Sequence, residues 1–160
     1  MKVKLKLDET DHQILNMLID NTRTPFTDIA KKLDISAGTV HVRVKKMEES
    51  GIIIGSSLTL NYKKLGYTFI AYVGIFLKKT SQTQFVLNRI EEIPNITVAH
   101  VTTGKFNLFC KIRARNTEHA KNIIFLIDDI DGVSRTETMI SMEESLNDKT
   151  RLMKSIFENM

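Results

Sequence analysis

The segment from Thr27 to Ile53 constrains this chain more than any other. A short apolar run (Ile29, Ala30, Leu33) breaks at Asp34-Ile35, and Ser36 then opens a second run with its own period. Serine is a preferred first residue there because its hydroxyl accepts a hydrogen bond from an amide that the helix itself cannot pair. After it, Val40, Val44 and Met47 recur at i, i+4 and i+7, which places them on one helical face and predicts their burial. At about 100° per residue the opposite side carries Gly38, His41, Val42, Lys45 and Lys46, with Arg43 on the flank. Ala37, Gly38 and Thr39 fall at the N-terminal end, where small residues permit close approach to another surface. Two short helices around a tight break, the second with a basic outer face, make the plan of a helix-turn-helix, whose second helix lies in the major groove of DNA. An ordinary charged surface helix would show the same face. The preceding helix, the break and the trailing Gly51-Ile52-Ile53 favour DNA.

The flanking sequence completes a three-helix unit. Asp8 is a good cap for a first helix, with Glu9 and Asp11 in the first turn where the helix dipole favours acids. Ile14, Leu15, Leu18 and Ile19 form its apolar stripe, and Asp20-Asn21 ends it. Thr24-Pro25 restarts the chain, with proline acceptable in a first turn. The net charge of +4 suits a polyanionic partner, and it is unevenly spread. Residues 1–64 carry 11 Lys/Arg against 8 Asp/Glu, and residues 65–160 carry 12 against 11.

Several function classes lack their chemistry. Cys110 is the single cysteine, so no internal disulfide forms, which fits a reducing cytoplasm. The basic start is followed at once by Asp8, Glu9 and Asp11, with no apolar signal core or membrane-spanning run, so a cytoplasmic protein without membrane contact is expected. His12, His41, His100 and His119 have no metal-ligand spacing. No phosphate-binding loop, dinucleotide fingerprint or nucleophile elbow is present, so no cofactor, metal or enzyme activity is expected.

After Gly51 the period changes. Residues 52–60 are rich in Ile, Ser, Thr and Leu and predict a strand, and Lys63-Lys64-Leu65-Gly66 predicts a turn and hinge. Residues 67–143 contain an internal repeat at an offset of about 37 residues. Phe69, Ile75, Thr80, Leu87, Ile90, Ile93 and Ile96 match Phe106, Ile112, Thr117, Ile124, Ile127, Ile130 and Val133. Each half reads as strand, Thr-containing cap, amphipathic helix, turn and strand. Two halves make a ferredoxin-like β-α-β-β-α-β unit, and the fold class is α+β: a winged-type helix-turn-helix followed by that unit. Helices cover one face of such a sheet, and the bare face invites pairing with another copy. The expected division is 1–55 for the helix-turn-helix, 56–66 for a strand and hinge linker, 67–143 for the sheet domain and 144–160 for a tail. The tail would form a helix with Leu152, Met153, Ile156 and Phe157 on its apolar stripe.

This order of elements resembles the Lrp/AsnC (feast/famine) family of transcription regulators. The resemblance rests on Leu7-Asp8, Leu18, Asn21-Thr22-Arg23, Ile29-Ala30, Ser36, Thr39-Val40, Arg43, Gly51-Ile52-Ile53 and Leu65-Gly66. Thr102-Thr103-Gly104 and Thr136-Glu137-Thr138 extend it through the second domain. Residues 38–47 and 136–140 are similar to those of the asparagine-responsive AsnC branch. Many leucine-type members carry Asp where this chain has Asn107, a departure that favours asparagine or another small amino acid.

The resemblance implies dimers that assemble into octamers or other multimers on double-stranded DNA. It implies DNA contacts from Ser36, Ala37, Gly38, Thr39, His41, Val42, Arg43, Lys45 and Lys46. It also implies a free amino acid bound between dimers, beside the loop joining the two middle strands. Thr102, Thr103, Gly104, Lys105, Phe106 and Asn107 form that loop, and Thr136 and Thr138 would add hydroxyls from an adjacent subunit. On their own residues, these are a β-turn and two strand formers, and the resemblance makes them an effector site. Two rivals remain: an architectural DNA-binding protein that needs no effector, and an enzyme or enzyme-regulatory subunit, since ferredoxin-like domains host many functions.

Overall fold

The structure is a computed structural model and describes residues 6–148 and 150–158. It divides into two compact units. The first holds α1 (Glu9–Asp20), α2 (Phe26–Leu33), α3 (Ala37–Glu49) and the C-terminal α6 (Arg151–Glu158), which packs on α1. The second is Leu60–Ser145.

Sequence dictates the boundaries of the N-terminal helices. Asp8 caps α1 through a reciprocal box: Asp8 Oδ1 accepts from the Asp11 amide (2.9 Å), and Asp11 Oδ2 accepts from the Asp8 amide (3.2 Å). Asn21 closes α1, and Pro25 stands one position before α2 as its N-cap. The break after α2 is Asp34 in the left-handed region (φ 53), a conformation that Asp tolerates better than most side chains. Ser36 caps α3 by accepting from the Thr39 amide at 3.0 Å. Ile14, Leu15, Ile29, Ala30, Val40, Val44 and Met47 form one buried core, as the periodicity predicts. Each large member contributes about 1.5–3 kcal/mol by leaving water.

Gly51 turns the chain out of α3 at φ 78, and the amides of Ile52 and Ile53 both donate to the Met47 carbonyl (3.0 and 3.2 Å). Ile53 packs back on the core, but Ile54 is 94% exposed and residues 54–60 join no sheet. The strand expected over 52–60, and with it the strand part of the 56–66 linker, is therefore absent from the single chain. Its residue types suit a strand, yet a strand exists only through hydrogen bonds to a neighbour, and this segment has none alongside.

The second unit follows the repeat. Its elements are β1 (Phe69–Leu77), α4 (Thr83–Glu91), β2 (Ile96–Val101), β3 (Leu108–Ala114), α5 (Thr117–Asp128) and β4 (Val133–Ile140). The strands form one antiparallel sheet in the order β2-β3-β1-β4. The two threonines are not the caps. Asn116 Oδ1 accepts from the His119 amide and caps α5, while Thr80 begins a 3₁₀ turn (Thr80–Gln82) ahead of α4. Ala71, Val73, Ile75, Leu108, Cys110, Ile112 and Ala114 from the sheet pack on Val86, Ile90, Ala120, Ile123 and Ile127 from the helices. Burial pushes the Cys110 thiol up to about 11, which keeps it protonated and unreactive. On the other face, Tyr72 stacks on Phe109 at 5.7 Å, and Lys111 and Arg113 both pair with Glu144. Among the described residues, no helix is long and apolar enough to cross a membrane.

Candidate nucleic-acid interface and effector turn

The core residues of α3 fix which side it shows. With Val40, Val44 and Met47 inward, Ser36, Gly38, Thr39, His41, Val42, Lys45 and Lys46 are exposed, and Ala37 is half-buried. Two of these have no evident purpose in the fold itself. Val42 is 64% exposed, and a Cβ at Gly38 would meet only the Ser36 hydroxyl, at an ordinary 3.6 Å. Glycine inside a helix costs about 1 kcal/mol relative to alanine, so a glycine that packing does not demand leaves room for something outside the chain. Among the described residues, the ion pair of Lys45 is a long contact with Glu49 (3.9 Å) between exposed groups, which leaves its charge available. His41 sits beside Phe26, with ring centroids 6.1 Å apart.

Arg43 is placed differently from the other basic residues of α3. Its Nη1 donates to Asp8 (2.8 and 2.9 Å) and to Asp11 Oδ1 (2.8 Å), tying α3 to the cap of α1. The guanidinium, then the Asp11 amide, hold the Asp8 carboxyl below its usual range, and Asp11 and Asp8 together raise Arg43 further. An open cleft beside this network is lined by Lys6, Ser36, Gly38, Thr39, Val42 and Lys46 as well as by the three paired residues.

In the second unit, the turn from Thr102 to Asn107 is laced at both ends. The Thr102 amide donates to the Asn107 carbonyl (3.1 Å), and the Thr102 hydroxyl donates to the Phe106 carbonyl. The Asn107 amide donates to the Ile75 carbonyl (3.0 Å), and Asn107 Oδ1 accepts from the Leu77 amide (2.9 Å). Thr103, Gly104 and Lys105 stand exposed at the tip, and a Cβ on Gly104 would meet nothing within 4 Å. Phe106 folds down over β1, where a Cβ at Gly74 would lie 2.4 Å from its ring. Phe76 meets the Phe106 ring edge-on at 5.2 Å.

Thr136 and Thr138 are not gathered with this turn. They register with Ile75 and Val73, on the helix-covered face, where Thr138 borders a groove with Thr117, Ala120 and Lys121. The strand residue that reaches the turn is Glu137, opposite Gly74 on the open face. Glu137 accepts from Lys105 Nζ (2.6 Å) and Arg135 Nη1 (2.6 Å), and these two cations, Lys105 first, hold its carboxyl below the usual range. Sequence reading passed over Glu137, although Arg135-x-Glu137 places an acid and a base on the same side of a strand.

Both units match known families. Residues 7–54 match a profile described as winged helix-turn-helix DNA-binding, and residues 70–150 match the Lrp/AsnC ligand binding domain. The chain belongs to the Lrp/AsnC family. Regulatory protein AsnC of Haemophilus influenzae is 35% identical over 141 residues, covering 88% of this chain and 94% of the relative. The solved structure of Escherichia coli AsnC superposes with a TM-score of 0.85 at 33% identity, covering 89% of this chain and 97% of that one. A Neisseria meningitidis transcriptional regulator, solved with L-methionine, shares the fold at a TM-score of 0.84 and 16% identity, with 90% and 95% covered. The chain is thus a DNA-binding transcriptional regulator of the Lrp/AsnC family, carrying that family's ligand-binding domain, and is not an enzyme.

Proposed function

We propose that this Lrp/AsnC regulator reads duplex DNA as a dimer, through the exposed face of α3. Lys45 and Lys46 neutralise phosphates, Ser36 and Thr39 approach the backbone, and His41 and Val42 meet base edges. The observation that carries this reading is the combination of an unneeded Gly38 and an outward Val42 on a helix whose other face is fully packed. Linked sites in a multimer raise the affinity of each weak contact through effective concentration. Salt dependence tests it. Each phosphate contact adds about 0.9 to the slope of log K against log salt, so Lys45→Ala and Lys46→Ala, each removing one contact from both subunits of a dimer, should each lower the slope by about 1.8. Unchanged slopes in both variants would remove α3 from the groove.

The effector in this reading is a free amino acid, asparagine foremost, held at Thr102–Asn107 with Thr136 and Thr138 supplied by an adjacent subunit. Exposed backbone groups around a glycine suit a carboxylate and an ammonium. The AsnC relatives at 34–35% identity favour asparagine, whereas the methionine complex belongs to a neighbour at 16%. Binding would shift the assembly, with an octamer of four dimers as its full form. Calorimetry against asparagine, leucine and methionine separates the choices. Heat with asparagine that Gly104→Val abolishes, with DNA affinity retained, supports the site. Silence with all three leaves an architectural DNA-binding protein.

A further inference from the structure

We propose that Arg43 is a positioning residue for DNA recognition: it sets the rotation of α3 against α1 and contributes no phosphate or base contact of its own. This rests on the groove reading of α3 and deepens it. Arg43 lies on the border between the buried row of Val40, Val44 and Met47 and the exposed row of Val42, Lys45 and Lys46. From that border its Nη1 makes three charge-assisted hydrogen bonds to Asp8 and Asp11. Its side chain is 30% exposed and that of Asp11 12% exposed, so the network is partly withdrawn from water.

The two carboxylates cannot swing to follow Arg43 elsewhere. Each is already engaged in the capping box of α1, Asp8 through the Asp11 amide and Asp11 through the Asp8 amide. The guanidinium is thereby fixed to the backbone of another helix. A helix turning about its axis carries every exposed side chain with it, so the angle at Arg43 decides where His41, Val42, Lys45 and Lys46 point. Charge gives a second reason. Two acids beside a DNA-facing helix repel phosphate, and one arginine between them offsets that repulsion while spending its own charge.

The proposal distinguishes itself by specificity and salt slope. Asp8→Asn/Asp11→Asn keeps a good cap on α1, because Asn caps as well as Asp, but removes the charged partners of Arg43. Binding is measured on a duplex selected from a random pool by the parent protein and on random duplex, across a salt series. The expected result is a loss on the order of tenfold in the ratio of selected to random affinity, the discrimination of about one base contact. Arg43→Ala should lose the same ratio and keep the parent slope, whereas Lys45→Ala in parallel lowers it. If removing the acids leaves the ratio unchanged or raises it, or if Arg43→Ala lowers the slope as Lys45→Ala does, Arg43 touches DNA directly and the proposal falls. A fall in melting temperature with an unchanged ratio overturns it too, since that is a role in stability alone. A slope unchanged from the parent in the lysine variants would fail the groove reading, and the double asparagine variant still decides whether Arg43 sets specificity.

Discussion

Two ion-pair networks in this regulator are mirror images in charge. In the N-terminal unit one base, Arg43, holds two acids, and in the ligand-binding domain one acid, Glu137, holds two bases. Each ties a functional element to a neighbour more than 30 residues away in sequence: α3 to the cap of α1, and the Thr102–Asn107 turn to β4. They differ in solvation. The difference lies in one partner: Asp11 is 12% exposed, whereas Asp8, Lys105 and Arg135 are 55%, 62% and 55% exposed and the central Arg43 and Glu137 are alike at 30% and 34%. Exposed pairs are screened and contribute little to stability, whereas a withdrawn pair with further hydrogen bonds resists both salt and rearrangement. The first network is a brace and the second a clasp. A helix that must meet a rigid lattice of phosphates needs the brace. If the turn holds the effector as proposed, an acid–base contact that an incoming carboxylate can replace serves it better.

The comparison breaks most readily at Asp11. Asp11→Ala removes a cap partner and leaves Arg43 without its best-shielded acceptor, so about 2 kcal/mol of stability should be lost. Hydrogen exchange at the Val44 and Met47 amides reads that loss in the N-terminal unit alone. If protection there is unchanged, Arg43 is not a brace.

The next effect belongs to the floor beneath the clasp. Gly74→Ala places a Cβ 2.4 Å from the Phe106 ring, so the ring must leave β1 or the strand must shift. Overpacking of this kind costs about 1–3 kcal/mol. The melting temperature should fall and the amino-acid response should weaken together. A variant that melts like the parent would mean that Phe106 moves freely and that the turn is less ordered than the packing implies.

Much of the brace side was legible in sequence, and little of the clasp side was. Ser36, Val40, Val44 and Met47 declare α3 because capping and the 3.6-residue period are local. The 37-residue repeat likewise gave the sheet, since each half carries its own pattern. The flank position of Arg43 is visible in the sequence, but its acidic partners lie 32 and 35 residues upstream. Glu137 and Gly74 needed the sheet order, which sets β4 beside β1 and brings Glu137 and the Phe106 ring onto the same open face at Gly74. A lone glycine in the apolar run Phe69–Leu77 was the available signal, because such a glycine marks a close approach. The segment over 52–60 fails for the opposite reason. Its composition is a property of the sequence, but its pairing is not.

A smaller effect sharpens the clasp. Glu137→Gln should leave melting unchanged at ordinary salt while altering the affinity for asparagine several-fold, because the lysine it releases sits at the exposed tip. A loss of stability comparable to that of Asp11→Ala would show that the two networks are alike and that solvation does not separate them.

The smallest effect is in acid. The Asp8 and Glu137 carboxyls both sit below their ordinary values of 3.8 and 4.5 in the folded chain. A carboxyl depressed by folding stabilises the native state above its unfolded value, and that stabilisation is lost as pH falls through the folded value. Asp8 and Glu137 therefore stay charged above their ordinary values, and each loses its contribution only as pH falls below them. Salt should separate them. Glu137 is held by two exposed cations, whose pull is screened as ionic strength rises. Asp8 is held first by the Arg43 guanidinium and then by the Asp11 backbone amide, a neutral dipole fixed in the first turn of α1 that salt does not screen as it screens a charge. In an NMR titration of the carboxyl carbons, raising salt to about 1 M, where the screening length falls to about 3 Å, should carry the Glu137 midpoint further toward its ordinary value than that of Asp8. Equal movement would mean that the cap contributes nothing to holding Asp8 and that the brace is only a second clasp.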